Sequence, residues 1–240
     1  MLDVHPPHHA ASTWRDFFIH IATICVGLLI AIALEQAVEV LHHAHQRREL
    51  IEDLRSECEH NQPVFEEDVD SYRAHAAWET QSATALMLAA PQDGYVTVIL
   101  PAFSGTEFSH APSGAVWSVA RANGKVALLP ENLAEIYDRV DHQGEEFLVS
   151  NRKANEVRQE LPALATLYGI QIKPGATVRV PLEARDAVAG ALARASSANM
   201  SVLRWVLYWQ GACKAELDNV QTRDAISPYL DAADRTLSQK

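Results

Sequence analysis

Cysteine is scarce: Cys25, Cys58 and Cys213 are the three in 240 residues. They are too scattered for a disulfide scaffold or a thiolate metal site, which draws on close pairs such as CxxC. Basic charge is also in deficit. Twenty Lys and Arg stand against 31 Asp and Glu, a formal charge of -11. That sign is wrong for holding phosphate backbones by counterion release, so no nucleic acid partner is expected. Catalytic signatures are missing too. Ser150-Asn151-Arg152-Lys153 matches SxxK without the SDN and KTG elements of a serine acyl-transfer site. Gly124-Lys125 lacks the upstream glycine of a phosphate loop. Cys58 and His60 are too close along one helix to face each other, and no third group orients them. Glu66, Glu67, Asp68 and Asp70 lack the glycine and terminal glutamate of a calcium loop and read as a solvated helix start. Asp138, Asp141, His142, Glu145 and Glu146 read as the exposed face of a charged helix. There is no internal repeat and no low-complexity segment. With 48% apolar residues, the chain is not expected to be disordered.

A long apolar run, by contrast, is present. Residues 17–34, FFIHIATICVGLLIAIAL, carry no formal charge, and only His20 and Thr23 interrupt them. As a helix the run measures about 27 Å, close to the thickness of a hydrocarbon layer. A buried core helix is the plainer reading, but core helices of this length keep a polar face. Ala31-Ile32-Ala33 offers a small-x-small cleavage pattern. The run is nevertheless longer than a signal-peptide core, one arginine precedes it against two aspartates, and helical periodicity continues beyond it. An uncleaved signal anchor fits better. Arg15 precedes the run while Arg47 and Arg48 follow it, so counting charges favours the long part inside.

Positions 23, 26, 30, 33, 37, 40, 44, 47, 51, 54 and 58 read Thr, Val, Ile, Ala, Ala, Val, Ala, Arg, Ile, Leu, Cys. This stripe makes the anchor and the next helix continuous, with a seam for another copy or for a helix of the same chain. Gly27 and Ala31 form a small-xxx-small pair for close helix approach. Asn61-Gln62-Pro63 is expected to break the helix, and residues 64–90 to return antiparallel as a second amphipathic helix that Pro91-Gln92-Asp93-Gly94 stops. Tyr95 to Leu100 is a β-type run. Ser113 is placed to cap a short helix ending at Gly124, and Pro130 opens a longer one that Gly144 and Pro162 bend or divide. Residues 170–180 alternate around Pro174-Gly175 and read as a small hairpin or a connector. Pro181 starts the last long helix, through Val188, Leu192, Val202, Val206 and Cys213, and residues 224–240 form a tail, less ordered or separately helical. The expected fold is mainly α: a single transmembrane helix continuing into an antiparallel helical domain, with at most a small β-hairpin. Residues 1–16 are a tail, 17–34 the span and 35–223 the domain.

Two stretches carry a family resemblance. Residues 17–61, with the Gly-Leu-Leu-Ile-Ala core of the anchor and the charged helix after it, form the first. Residues 113–140, SGAVWSVARANGKVALLPENLAEIYDRV, form the second, with a Trp-containing helix, a Gly-ended turn and a Tyr-bearing helix. Together they resemble uncharacterised bacterial single-pass membrane proteins with one anchor helix and a mostly helical extracytoplasmic domain. The resemblance implies an inner-membrane location with the bulk of the chain in the periplasm, and it supplies no activity.

Under that topology Cys25 lies in the membrane. Cys58 and Cys213, each on an apolar stripe, form one disulfide or remain two separate buried thiols. Glu39, His42 and His45, with His43 beside them, are metal candidates, and His5, His8 and His9 fall in the N-terminal tail. In Trp205-Val206-Leu207-Tyr208-Trp209 adjacent rings cannot all face one core, so Trp205 and Trp209 are candidates for partner contact. The expected function is a non-catalytic interaction or assembly role without a cofactor. Its partners are the bilayer and a membrane protein or a second copy. The alternative is a periplasmic small-ligand or metal-sensing module acting through a membrane partner.

Overall fold

The computed structural model describes residues 14–106, 111–220 and 222–238. The chain divides into two units, Met1–Glu49 and Leu50–Lys240. One helix, α1 (Trp14–Leu88), belongs to both. A hairpin follows, β1 (Pro91–Gln92) and β2 (Tyr95–Ile99), joined by Asp93-Gly94 with φ of 49° and 78°. Next come α2 (Ala115–Ala122), a 3-10 turn at Lys125–Leu128, α3 (Glu131–Arg158), α4 (Glu160–Leu167) and β3 (Thr177–Pro181). The long α5 (Leu182–Leu217), a 3-10 turn at Arg223–Ile226 and α6 (Ser227–Ser238) complete the domain. The fold is mainly helical with a small antiparallel sheet.

The expected break at Pro63 does not occur: α1 runs through it. Proline removes one backbone donor and crowds the preceding turn. Against that cost, Cys58 before it and Phe65, Val69 and Tyr72 after it are all buried in the same apolar cluster, which holds the two halves in phase. Tertiary burial outweighs local preference. The antiparallel return is therefore made not by residues 64–90 but by α5. Cys58 meets Cys213, and Ser196 Oγ donates to the Ala76 carbonyl at 2.9 Å, so α5 descends as α1 ascends. The pairs Tyr137 with Glu216 and Ser150 with Ser201 set α3 antiparallel to α5 as well.

The central core is built where these helices meet, from Phe65, Phe147, Val202, Val206 and Trp209. A second cluster lies under the sheet, where Val96, Val178 and Val180 alternate inward with Val188 and Leu192 of α5 beneath them. The sheet corrects the expected hairpin at residues 170–180. Only its second half is a strand, and β3 pairs with β2, Val96 opposite Val180 and Val98 opposite Val178. Period-two alternation identifies a strand but carries no information about which strand it joins. The expected C-terminal tail is also packed: Ile226 and Ala233 are buried against the helical core.

A third cluster, Leu50, Leu54, Trp117, Leu129 and Tyr137, seats α2 on α1. The residue at the N-cap of α2 is Gly114, not Ser113, and it brings no side chain to the helix end. Glu57 Oε1 accepts from Ser113 Oγ at 2.8 Å and from Val116 N at 3.2 Å, while Asn61 both donates to and accepts from the Ser113 backbone. A carboxylate from α1 thus meets the first turn of α2, where free N–H groups favour negative charge.

Candidate membrane anchor and buried polar network

From residue 17 to residue 34 every side chain of α1 is exposed. This helix is long and apolar enough to cross a membrane, and none of its most apolar window is buried within the protein. Leu29 is 65% and Leu34 63% exposed, so the core-helix reading of this stretch does not describe the structure. The one hydroxyl in the run is satisfied locally, Thr23 Oγ1 donating to the Ile19 carbonyl at 2.9 Å. At the N-terminal end Trp14, Phe17 and Phe18 form a ring cluster with centroids 5.8 to 6.1 Å apart, beside Arg15. A tryptophan, with its polar N–H, and an arginine at the end of an apolar helix suit an interface between lipid and water. A Cβ added at Gly27 would meet nothing within 4 Å, and Ala31 is exposed on the same surface. Cys25 is a free, exposed thiol.

The metal candidates are not brought together. Gln46 Nε2 donates to His42 Nε2 at 3.0 Å, occupying the lone pair a metal would need, and His45 Nε2 lies 3.2 Å from Glu49. Glu39 is exposed, and among the described residues no group of three or more His, Cys, Asp or Glu is arranged to hold a metal. His5, His8 and His9 lie outside the described residues.

The structure joins Cys58 and Cys213 in a disulfide, their Cα atoms 5.3 Å apart, both buried. It links α1 to α5 across the central core.

The aromatic candidates separate. Trp209 is buried, 5.5 Å from the Phe65 ring and 5.7 Å from Phe147, and so is no docking residue. Its indole lies over Gly144, where an added Cβ would stand 2.9 Å from the ring, so this glycine makes room for the tryptophan instead of dividing α3. Trp205 is half-buried, with its ring 5.6 Å from Tyr208, whose hydroxyl donates to Asp234 of α6 at 2.6 Å. Because α6 packs here, the surface offered by the sequence to a partner is used by the chain itself. Trp209→Ala is expected to cost about 3–5 kcal/mol in urea unfolding, against no more than about 1.5 kcal/mol for Trp205→Ala.

Sequence reasoning missed a buried polar network along α1. Asp68 is 4% exposed, not part of a solvated helix start, and its Oδ2 has no hydrogen-bond partner among the described residues. Burial, with Glu67 adding to it, pushes its carboxyl up to about 7. Glu79 Oε2 accepts from Asn199 Nδ2 at 2.8 Å. Burial raises Glu79 to about 7, the amide and the Arg158 charge pulling the other way. Tyr72 donates to Asn151 Oδ1 at 3.2 Å, and burial beside Asp68 pushes its phenol up to about 12. A second buried pair joins Tyr137 to Glu216 at 2.8 Å, both raised by burial. The signal was phase: Asp68 follows Phe65 by three and precedes Tyr72 by four, and Glu79 sits between Tyr72 and Leu86.

Of these groups Asp68 and Glu79 exchange protons at about 7, while burial raises Glu216 above its ordinary value. Ser150 is paired with Ser201 at 3.0 Å, whereas Lys153 is exposed, so the SxxK match is not assembled. His60 Nδ1 lies 2.7 Å from the Ser56 carbonyl, which fixes it as a donor and leaves it no base for the Ser56 hydroxyl. Asp141 is half-buried and paired with Arg121 at 2.8 Å, so the charged face of α3 is partly covered. No protein-family profile, curated protein or solved structure matches this chain.

Proposed function

We propose that the protein is a single-pass bacterial inner-membrane protein whose helical domain stands in the periplasm and serves interaction or assembly, without catalysis. The observation that carries this reading is the apolar stretch of α1, exposed on every face, which water does not stabilise and a bilayer does. The Cys58–Cys213 disulfide favours an oxidising compartment for the domain, against the count of flanking arginines. In spheroplasts expressing the full chain, added protease is expected to digest the domain while the inner membrane is intact. Protection until that membrane is lysed would place the domain in the cytoplasm.

A groove of about 580 Å³ lined by Ala76, Met200, Leu203 and Leu237 together with the polar Arg73 and Thr80 supports the second reading, a small-ligand module. A thermal-shift screen against small amphipathic molecules separates the two: a saturable rise in melting temperature favours the ligand reading.

A further inference from the structure

On α1 a second stripe runs beside the one that ends at Cys58. Ile24, Gly27, Ala31, Leu34, Val38, Leu41, His45 and Arg48 follow at alternating steps of three and four. Ile24, Ala31, Val38 and His45 occupy the a positions of a heptad, and Gly27, Leu34, Leu41 and Arg48 the d positions. The first stripe is in phase with Leu54 and Cys58, which the domain's own core buries. The second is in phase with Glu52 and Glu59, both exposed, and with Arg55, which donates to Asn219 and to the Leu217 carbonyl, so the domain buries no apolar side chain on this line. Its large members are bare: Ile24, Leu34, Val38 and Leu41 are 62% to 70% exposed. With the apolar run ending at residue 34, Leu41 stands seven residues, roughly 10 Å of helix, further on, where lipid tails no longer cover it.

We propose that this stripe is the seam of a parallel two-stranded coiled coil with a second copy of the chain, continuous from the membrane span into the juxtamembrane helix. The proposal rests on the anchor reading, which gives both copies the same direction. Branched Ile24 and Val38 at a with Leu34 and Leu41 at d are the choices that favour two parallel strands, and Gly27 with Ala31 lets the backbones approach within lipid. Charge fits a second copy. The flanking g positions are Ile30, Ala37 and Ala44, and the e positions beyond the lipid are Glu35, His42 and Glu49. Two parallel copies place Ile30 opposite Glu35, Ala37 opposite His42 and Ala44 opposite Glu49, so no g–e pair joins like charges; Arg48 meets the other copy's Arg48 at the last d layer, each beside the other copy's Glu49, which ends the seam there. An antiparallel pairing would bring e against e, glutamate towards glutamate.

The test uses the full-length chain in membranes, in a Cys25→Ala background that leaves the buried disulfide in place. Under a mild oxidant Leu41→Cys at the seam is expected to give at least about fivefold more covalent dimer than Val40→Cys, which is equally bare but faces away. Val38→Glu with Leu41→Glu is expected to abolish the dimer in detergent sedimentation, and Val40→Glu to retain it. Equal cross-linking at both positions, more at residue 40, or none at either overturns the proposal. Alkaline extraction of the same samples keeps the two readings apart. A chain retained by the lipid without Leu41→Cys dimer defeats the coiled coil alone, whereas a released chain that still forms it defeats the anchor and leaves the seam.

Discussion

Replacing both disulfide cysteines, Cys58→Ala with Cys213→Ala, is expected to lower the unfolding free energy of the domain by about 2–5 kcal/mol. The bond joins residues at a sequence separation of 155, for which chain entropy alone gives about 5 kcal/mol, before any compensation from structure in the unfolded chain. Both side chains are buried between α1 and α5 beside Phe65, Val206 and Trp209, so alanine adds a modest packing loss and no unpaired polar group. Urea unfolding of the oxidised wild type and of the double variant measures the difference. A loss under about 1 kcal/mol would mean that the cross-link contributes little beyond the packing around it.

The second large effect is one of pH. Asp68 carries its proton up to about 7 in the folded protein, against 3.8 for the ordinary group. Below pH 3.8 both folded and unfolded states are protonated and the group is silent. As pH rises from there the unfolded chain releases the proton while the folded one retains it, so stability falls until about pH 7 and is level above. Glu79 acts in the same direction between 4.5 and about 7. Asp68→Asn removes the charged form and is expected to raise stability at pH 8 by about 2–4 kcal/mol, while matching the wild type near pH 3.5. Urea unfolding across that range measures both. A variant no more stable than the wild type at pH 8 would show that the carboxylate is accommodated where it lies.

Much of the fold was legible because long helices declare themselves by phase. Val188, Leu192, Val202, Val206 and Cys213 share one face of α5, and all are buried. The same property placed Cys58 and Cys213 on facing stripes. What phase cannot do is choose between elements. β3 reads as a strand from Val178 and Val180, yet its partner Tyr95–Ile99 lies some 80 residues earlier, and nothing local points there. Nor does local chemistry weigh Pro63 against four buried side chains around it. The tryptophans show the limit for the candidate site. Both Trp205 and Trp209 were expected at a partner contact, but Trp209 is buried in the core, and α6, read as a less ordered or separately helical tail, packs beside Trp205 and takes the Tyr208 hydroxyl through Asp234. Asp68 was hidden for the opposite reason, since three charged neighbours made its surroundings look solvated although its phase with Phe65 and Tyr72 did not.

Everything proposed for location and partners depends on residues 17–34 lying in lipid. Alkaline carbonate extraction of membranes from cells making the full-length chain tests this most directly. The protein is expected to stay in the membrane pellet and to be released only by detergent, and its recovery in the aqueous supernatant would contradict the account.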